Sequence, residues 1–182
     1  MTARFSYIAL IRGINVGGSS VIKMDDLRKL FESKGFADVT SYIQSGNVLF
    51  STDSADREKL TARFERRLSP SLGSQVRVFL MTSAELERAS ACNPFGPEEK
   101  DPENRCHLFF MSARPEAARE KALMALQGKE YRFHIHDRVL YYAYPRKLVV
   151  RRRTIDLEKV LGVTGTSRSR GVVAKLIELS RR

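Results

Sequence analysis

Tryptophan is absent, and cysteine nearly so: only Cys92 and Cys106 occur in 182 residues. They share no metal-type spacing, and a chain of this length needs no disulfide to fold, so a disulfide scaffold is excluded. Histidine is scarce too, with three residues, His107, His134 and His136. No apolar run approaches the ~20 residues needed to cross a bilayer. The opening Met1-Thr2-Ala3-Arg4-Phe5 lacks a signal-peptide pattern and leads straight into a strand-like segment. A reducing, cytoplasmic setting is the resulting expectation. Acidic residues are also short, 21 against 32 Lys and Arg, for a net charge of +11. The shortage is local: from Pro145 onward there are eleven Lys/Arg against three Asp/Glu, whereas the first 144 residues hold twenty-one and eighteen. A basic end suits an acidic partner such as nucleic acid or phosphate, and it suits plain solubility as well.

What is present is a regular alternation of apolar patterns. Phe5 to Ile11 reads as a buried strand stopped by Gly13. Met24, Leu27, Leu30 and Phe31 share a helical face, with Asp25 and Asp26 in the first turn and Gly35 as the stop. Val39 to Ile43 and Val48 to Phe50 form a hairpin turning at Ser45-Gly46. Ser54 caps a helix carrying Leu60, Phe64 and Leu68, ended by Pro70 and Gly73. Gln75 to Leu80 is a further strand. Thr82-Ser83-Ala84-Glu85 then starts a short helix, with Thr82 or Ser83 as cap. Asn93-Pro94-Phe95-Gly96-Pro97 and the acidic stretch after it read as a surface linker.

The pattern then restarts. His107 to Met111 is a strand, Pro115 to Leu126 a helix stopped by Gly128, and Tyr131 to Ile135 with Val139 to Tyr144 a hairpin turning at His136-Asp137-Arg138. Ile155 to Leu161 and a final segment with Val172, Val173, Leu176 and Ile177 are helices. Strand, helix, strand, strand, helix, strand is the split βαβ order. The expected fold is therefore α+β, with two ferredoxin-like halves of antiparallel sheet backed by helices. Residues 1–82 form the first half and 83–105 a helix and linker. Residues 106–182 form the second half, with a helix in place of its last strand.

Tyr7-Ile8-Ala9-Leu10-Ile11-Arg12-Gly13-Ile14-Asn15-Val16-Gly17-Gly18, Met24 with Leu27, and Thr40-Ser41-Tyr42-Ile43-Gln44-Ser45-Gly46-Asn47-Val48-Leu49-Phe50 closely resemble the bacterial domain-of-unknown-function family 1697. Asn93-Pro94-Phe95 and Thr166-Ser167-Arg168 are further echoes. The resemblance implies an α+β protein of two ferredoxin-like halves and implies no activity. There are two departures. Many members carry lysine after the double glycine, where this chain has Ser19. The family's C-terminal Thr-Thr-Arg-Asn-Trp-Asn-Thr is here Thr166-Ser167-Arg168-Ser169-Arg170-Gly171-Val172. If the family's Asn and Trp hold a ligand, this chain holds it differently or not at all.

Gly13 to Gly18 has the glycine spacing of a phosphate-binding P-loop, but Ser19-Ser20 follows where Lys-Ser/Thr is required, and no helix starts on the loop. A P-loop NTPase is excluded. The glycines serve either a tight connection or close approach to a ligand, and Arg12 beside them is placed to hold an anion bidentately. In Gln44-Ser45-Gly46-Asn47 a turn accounts for the glycine but not for Gln44. The strand–helix loop and the hairpin turn are expected at opposite ends of the sheet, which argues against one shared pocket. Arg168 and Arg170 are expected in or just before the first turn of the last helix, where a bound anion would offset their clash with the helix dipole. The candidate ligand-binding residues are thus Arg12, Gly13, Asn15, Gly17, Gly18, Gln44, Ser45, Asn47, Thr166, Arg168 and Arg170. His134 and His136 alternate on one strand face without a third ligand, so no metal and no cofactor is expected.

Three functions fit these residues. One is a binder of nucleic acid or a phosphorylated ligand. A second is an enzyme acting on a small phosphate- or carboxylate-bearing metabolite, for which no general base or nucleophile is apparent. The third is an assembly module whose basic face docks an acidic protein. Salt-sensitive retention by nucleic acid marks the first, and activity governed by one titrating group marks the second.

Overall fold

The computed structural model describes residues 4–14, 22–33, 35–72, 76–95, 104–147 and 155–182. In chain order the elements are β1 (Phe5–Arg12), α1 (Met24–Glu32), β2 (Ala37–Tyr42), β3 (Asn47–Thr52), α2 (Arg57–Leu72), β4 (Arg77–Met81), α3 (Ser83–Ala91), β5 (Asn104–Met111), α4 (Ala117–Met124), β6 (Arg132–His136), β7 (Val139–Pro145), α5 (Leu157–Leu161), β8 (Gly165–Ser169) and α6 (Arg170–Ser180). The chain divides into two compact units, Met1–Glu87 with Lys175–Arg182, and Arg88–Ala174. Each holds a four-stranded sheet, ordered β2-β3-β1-β4 in the first and β6-β7-β5-β8 in the second. Every pairing is antiparallel. The first strand of each set is central and the hairpin lies on one side of it. This is the ferredoxin-like order, and it occurs twice.

In the first unit Tyr7, Ala9 and Ile11 of β1 point to the helices, where they join Leu27, Phe31, Phe36, Phe50, Leu60, Phe64 and Leu68 in one core. Four rings anchor it: Phe31 and Phe64 stack with centroids 4.5 Å apart, Phe36 and Phe64 at 4.8 Å, and Phe50 meets Phe64 edge-on at 5.2 Å. The alternate residues Ile8 and Leu10 are shielded from solvent as well. That is why β1 reads as an unbroken apolar run rather than an alternating one.

Helix ends follow local hydrogen-bond chemistry. Thr82 and Glu85 form the expected capping box: the Glu85 N–H donates to Thr82 Oγ1 at 3.2 Å and the Thr82 N–H to Glu85 Oε2 at 2.8 Å. At α2 the cap is Asp56, not Ser54. Asp56 Oδ1 accepts from the Lys59 N–H at 3.0 Å, while Ser54 Oγ accepts from the Asp56 N–H one step earlier. Pro70 lies inside α2, close to its end, instead of ending it. Gly73 falls outside the described residues.

The second unit differs from expectation at its last strand. β8 exists and pairs with β5 from His107↔Ser169 to Met111↔Gly165, completing the split βαβ order, and α6 follows as an additional helix. Gly165-Thr166-Ser167-Arg168-Ser169 carries no apolar side chain, so neither periodicity nor propensity marks it as a strand. The free edge of β5 and close packing at Gly165 define it. A Cβ built on Gly165 would lie 2.3 Å from the ring of Phe109. Gly165→Ala is therefore expected to force Phe109 out of place and destabilise the protein by about 1–3 kcal/mol. Urea unfolding checks this; an unchanged midpoint would show that the ring yields freely.

Candidate anion-binding site

β1 runs out at Arg12, and Gly13 turns the chain with φ +80°. β2 and β3 are joined by residues 43–46, with Asn47 opening β3 in register with Leu10. These two connections leave the sheet at the same end, contrary to the expectation that they would lie at opposite ends. β1 and β2 both follow the same direction because a helix returns the chain between them, so the loop after β1 and the hairpin after β2 must emerge together. The meeting is direct. The Ile11 N–H donates to the Gly46 carbonyl at 2.7 Å. A Cβ on Gly46 would come within 2.9 Å of both the Ile11 carbonyl oxygen and the Ile14 side chain. Gly46 also has φ +73°. Glycine is required there on both counts.

Around this junction the candidate residues separate into two kinds. Asn47 is fully buried, and its Nδ2 donates to the Tyr42 carbonyl at 3.1 Å and to Ser45 Oγ at 2.9 Å. Asn47 and Ser45 thus tie the turn to itself. Gln44 is exposed and Arg12 half-buried. Arg12 stands in register with Arg77 of β4, a neighbour that topology implies but pattern-reading of the sequence did not single out. Arg77 reaches Glu65 at 3.1 Å, and Glu65 also accepts from the Val78 N–H at 3.0 Å. Two guanidinium groups therefore begin on adjacent strands at the end where the turn and the loop meet. Asn15, Gly17 and Gly18 lie outside the described residues.

Thr166, Arg168 and Arg170 belong to the second unit. Arg168 lies on β8 rather than at the helix, and is 6% exposed. Its Nη1 donates to Thr166 Oγ1 at 2.7 Å and to the Ser167 carbonyl at 2.8 Å. Burial pulls its guanidinium down to about 10, leaving it charged at neutral pH. Arg170 is the first, exposed residue of α6, while Ser169 Oγ accepts from the Val172 N–H. Part of the basic C-terminal charge is engaged locally. Lys175 and Arg182 both bind Glu178, and Arg181 binds Glu87. Arg146 and Lys147 are exposed, and Arg151 to Arg153 lie outside the described residues.

The remaining titratable side chain of note is His107, on β5. Its ring stacks with Tyr142 and Tyr144 at 5.4 and 5.6 Å, and its Nδ1 is buried with no hydrogen-bond partner among the described residues. Burial, reinforced by Arg105, pushes the imidazole down to about 4, and burial pushes the Tyr142 phenol up to about 12. His134 and His136 are exposed on β6. Among the described residues no group of three or more His, Cys, Asp or Glu is placed to hold a metal ion, and no helix is long and apolar enough to cross a membrane.

A family model with the description "protein of unknown function (DUF1697)" matches residues 5–141, a range that includes β1, the hairpin turn and the Ile11–Gly46 hydrogen bond between them. This chain belongs to the DUF1697 family. Among solved structures it is similar to the conserved bacterial protein SP0830 from Streptococcus pneumoniae. The identity is 20% and the TM-score 0.72, over 98% of this chain and 99% of that one. An unknown protein from Galdieria sulphuraria aligns at 12% identity and a TM-score of 0.28, over 92% of this chain and 99% of that one. No curated protein matches. In this DUF1697 member the motif residues divide as the geometry dictates: Gly46 and Asn47 build the junction, and Arg12 and Gln44 stand at its surface.

His107 makes the second unit sensitive to acid. Its imidazole titrates at about 4 when folded and near 6.5 when unfolded, so the unfolded chain binds the proton more tightly. The stability due to the neutral ring is complete above pH ~6.5 and falls away towards pH ~4, by about 2–3 kcal/mol at pH 4.5. Urea unfolding at pH 7 and pH 4.5 should show a smaller loss in His107→Phe than in the wild type. Equal losses would mean that the ring charges without penalty.

Proposed function

We propose that this DUF1697 protein binds phosphate-bearing ligands, nucleic acid foremost, through a basic surface centred on the end of the first sheet. The observation that carries this is the junction itself. The Ile11–Gly46 hydrogen bond brings the Arg12–Gly13 loop start and the Gln44-bearing turn to one place. Arg77 starts on the strand beside Arg12. An arginine next to a glycine whose backbone is open to approach suits a phosphate oxygen, which accepts two N–H groups of one guanidinium. The net charge of +11 supplies the long-range attraction that draws a polyanion in. Thr166, Arg168 and Arg170 form a second basic group, on a different unit, and Arg170 is the member of that group most exposed to a partner.

The test is fluorescence polarisation of labelled single- and double-stranded oligonucleotides across a salt series, with Arg12→Ala and Arg170→Ala beside the wild type. Non-specific affinity on the order of 1–100 μM at physiological salt is expected, with the salt slope reduced by roughly 1 for each arginine that neutralises a phosphate. Arg12→Ala should weaken all sequences alike, because phosphate contacts carry no base information. Binding confined to low salt, or untouched by either variant, would overturn the proposal.

A further inference from the structure

Three residues other than glycine adopt a positive φ among the described residues: Asp38 at 55°, Ile43 at 50° and Asp137 at 51°. Aspartate tolerates this region because its short polar side chain bonds locally. Isoleucine does not, since its branched Cβ crowds the following carbonyl. Residue 43 thus holds one of the side chains least suited to its backbone. Packing does not account for the choice either: Ile43 is 47% exposed, one of three exposed large hydrophobic residues among the described residues.

Its position gives the exposure meaning. Ile43 opens the connection 43–46 between β2 and β3, and exposed Gln44 follows it. The base of this connection is held by Asn47 on Tyr42 and Ser45, and by Gly46 on Ile11. An apolar tip on a fixed base, standing out at the end of a sheet, is convex. Small molecules are held in concave sites. Rigid apolar side chains that project from basic proteins, isoleucine among them, enter nucleic acid between base steps.

We propose that Ile43 is a wedge that inserts between adjacent base pairs of a duplex, while Arg12, at the same end of the sheet, holds a flanking phosphate. The inference rests on the nucleic-acid reading above and names its mode. It requires the tip to unstack bases, which phosphate contacts alone do not do.

Duplexes carrying 2-aminopurine report unstacking as a rise in fluorescence. The wild type should raise it on binding, and Ile43→Ala and Ile43→Gly should return it towards the level of free duplex and weaken duplex binding. Glycine takes up φ +50° without steric strain, which offsets its larger loss of backbone entropy on folding, so Ile43→Gly should melt close to the wild type, separating loss of the wedge from loss of the fold. If the wild type binds duplex in polarisation but leaves 2-aminopurine stacked, or if Ile43→Gly retains the full fluorescence rise, the wedge is overturned and binding stands. Binding of single strands without duplex at physiological salt overturns the wedge and leaves the nucleic-acid reading; if neither binds, both proposals fall together.

Discussion

The hydrogen bond between the Ile11 N–H and the Gly46 carbonyl, 2.7 Å long, is the constraint on which the candidate site depends. It closes the end of the first sheet by joining the strand that precedes the glycine loop to the turn of the hairpin. Gly46 makes it possible, because any Cβ there would meet Ile11 and Ile14 at 2.9 Å. The second unit has the corresponding closure: the Met111 N–H donates to the Arg138 carbonyl at 2.9 Å, and the Ser112 N–H to the Thr164 carbonyl at 2.9 Å. The two units thus share strand order and the way the hairpin is fastened to the central strand. They differ in what the fastening carries. In the second unit the turn is brief, with Asp137 at positive φ; in the first it is a longer connection with an apolar tip.

Several residues that give the sequence its family resemblance turn out to spend their polar groups on the fold. Asn47 secures a turn, and Thr166 accepts from the buried Arg168. Asn93 Oδ1 accepts from the Phe95 N–H at 3.1 Å and Asn93 Nδ2 approaches Cys106 Sγ at 3.5 Å, while Phe95 is buried beneath the Arg132 guanidinium. A buried amide or hydroxyl that lacks such partners costs roughly 1–3 kcal/mol, so these contacts explain the residue types without invoking a ligand. Arg12, Gln44 and Ile43 differ from these in exposure. They sit partly or largely in solvent, and burial does not dictate them.

The fold was legible where burial dictates pattern. β1, the apolar stripe of α2 and the Thr82–Glu85 cap could all be read from spacing, because side-chain period and capping chemistry are local. β8 could not be read, since Gly165 to Ser169 is a strand only by virtue of its neighbour β5. Arg168 was consequently expected at a helix start instead of in a buried strand. The same-end meeting of the glycine loop and hairpin was recoverable from topology, as strand direction alone requires it. The positive φ of Ile43 left no trace in the sequence, because nothing about isoleucine signals that backbone conformation.

The first unit is made of two pieces of chain, and its shorter piece reaches back across long sequence separations. Ser180 Oγ meets Ser83 Oγ at 2.8 Å across 97 positions, and Arg181 meets Glu87 across 94. The second unit is therefore also a covalent tether. It keeps residues 175–182 at a high effective concentration beside α3, so that contacts of modest strength form as an intramolecular event. A single chain break within residues 88–174 would make those contacts bimolecular. Damage confined to one unit would then loosen the other.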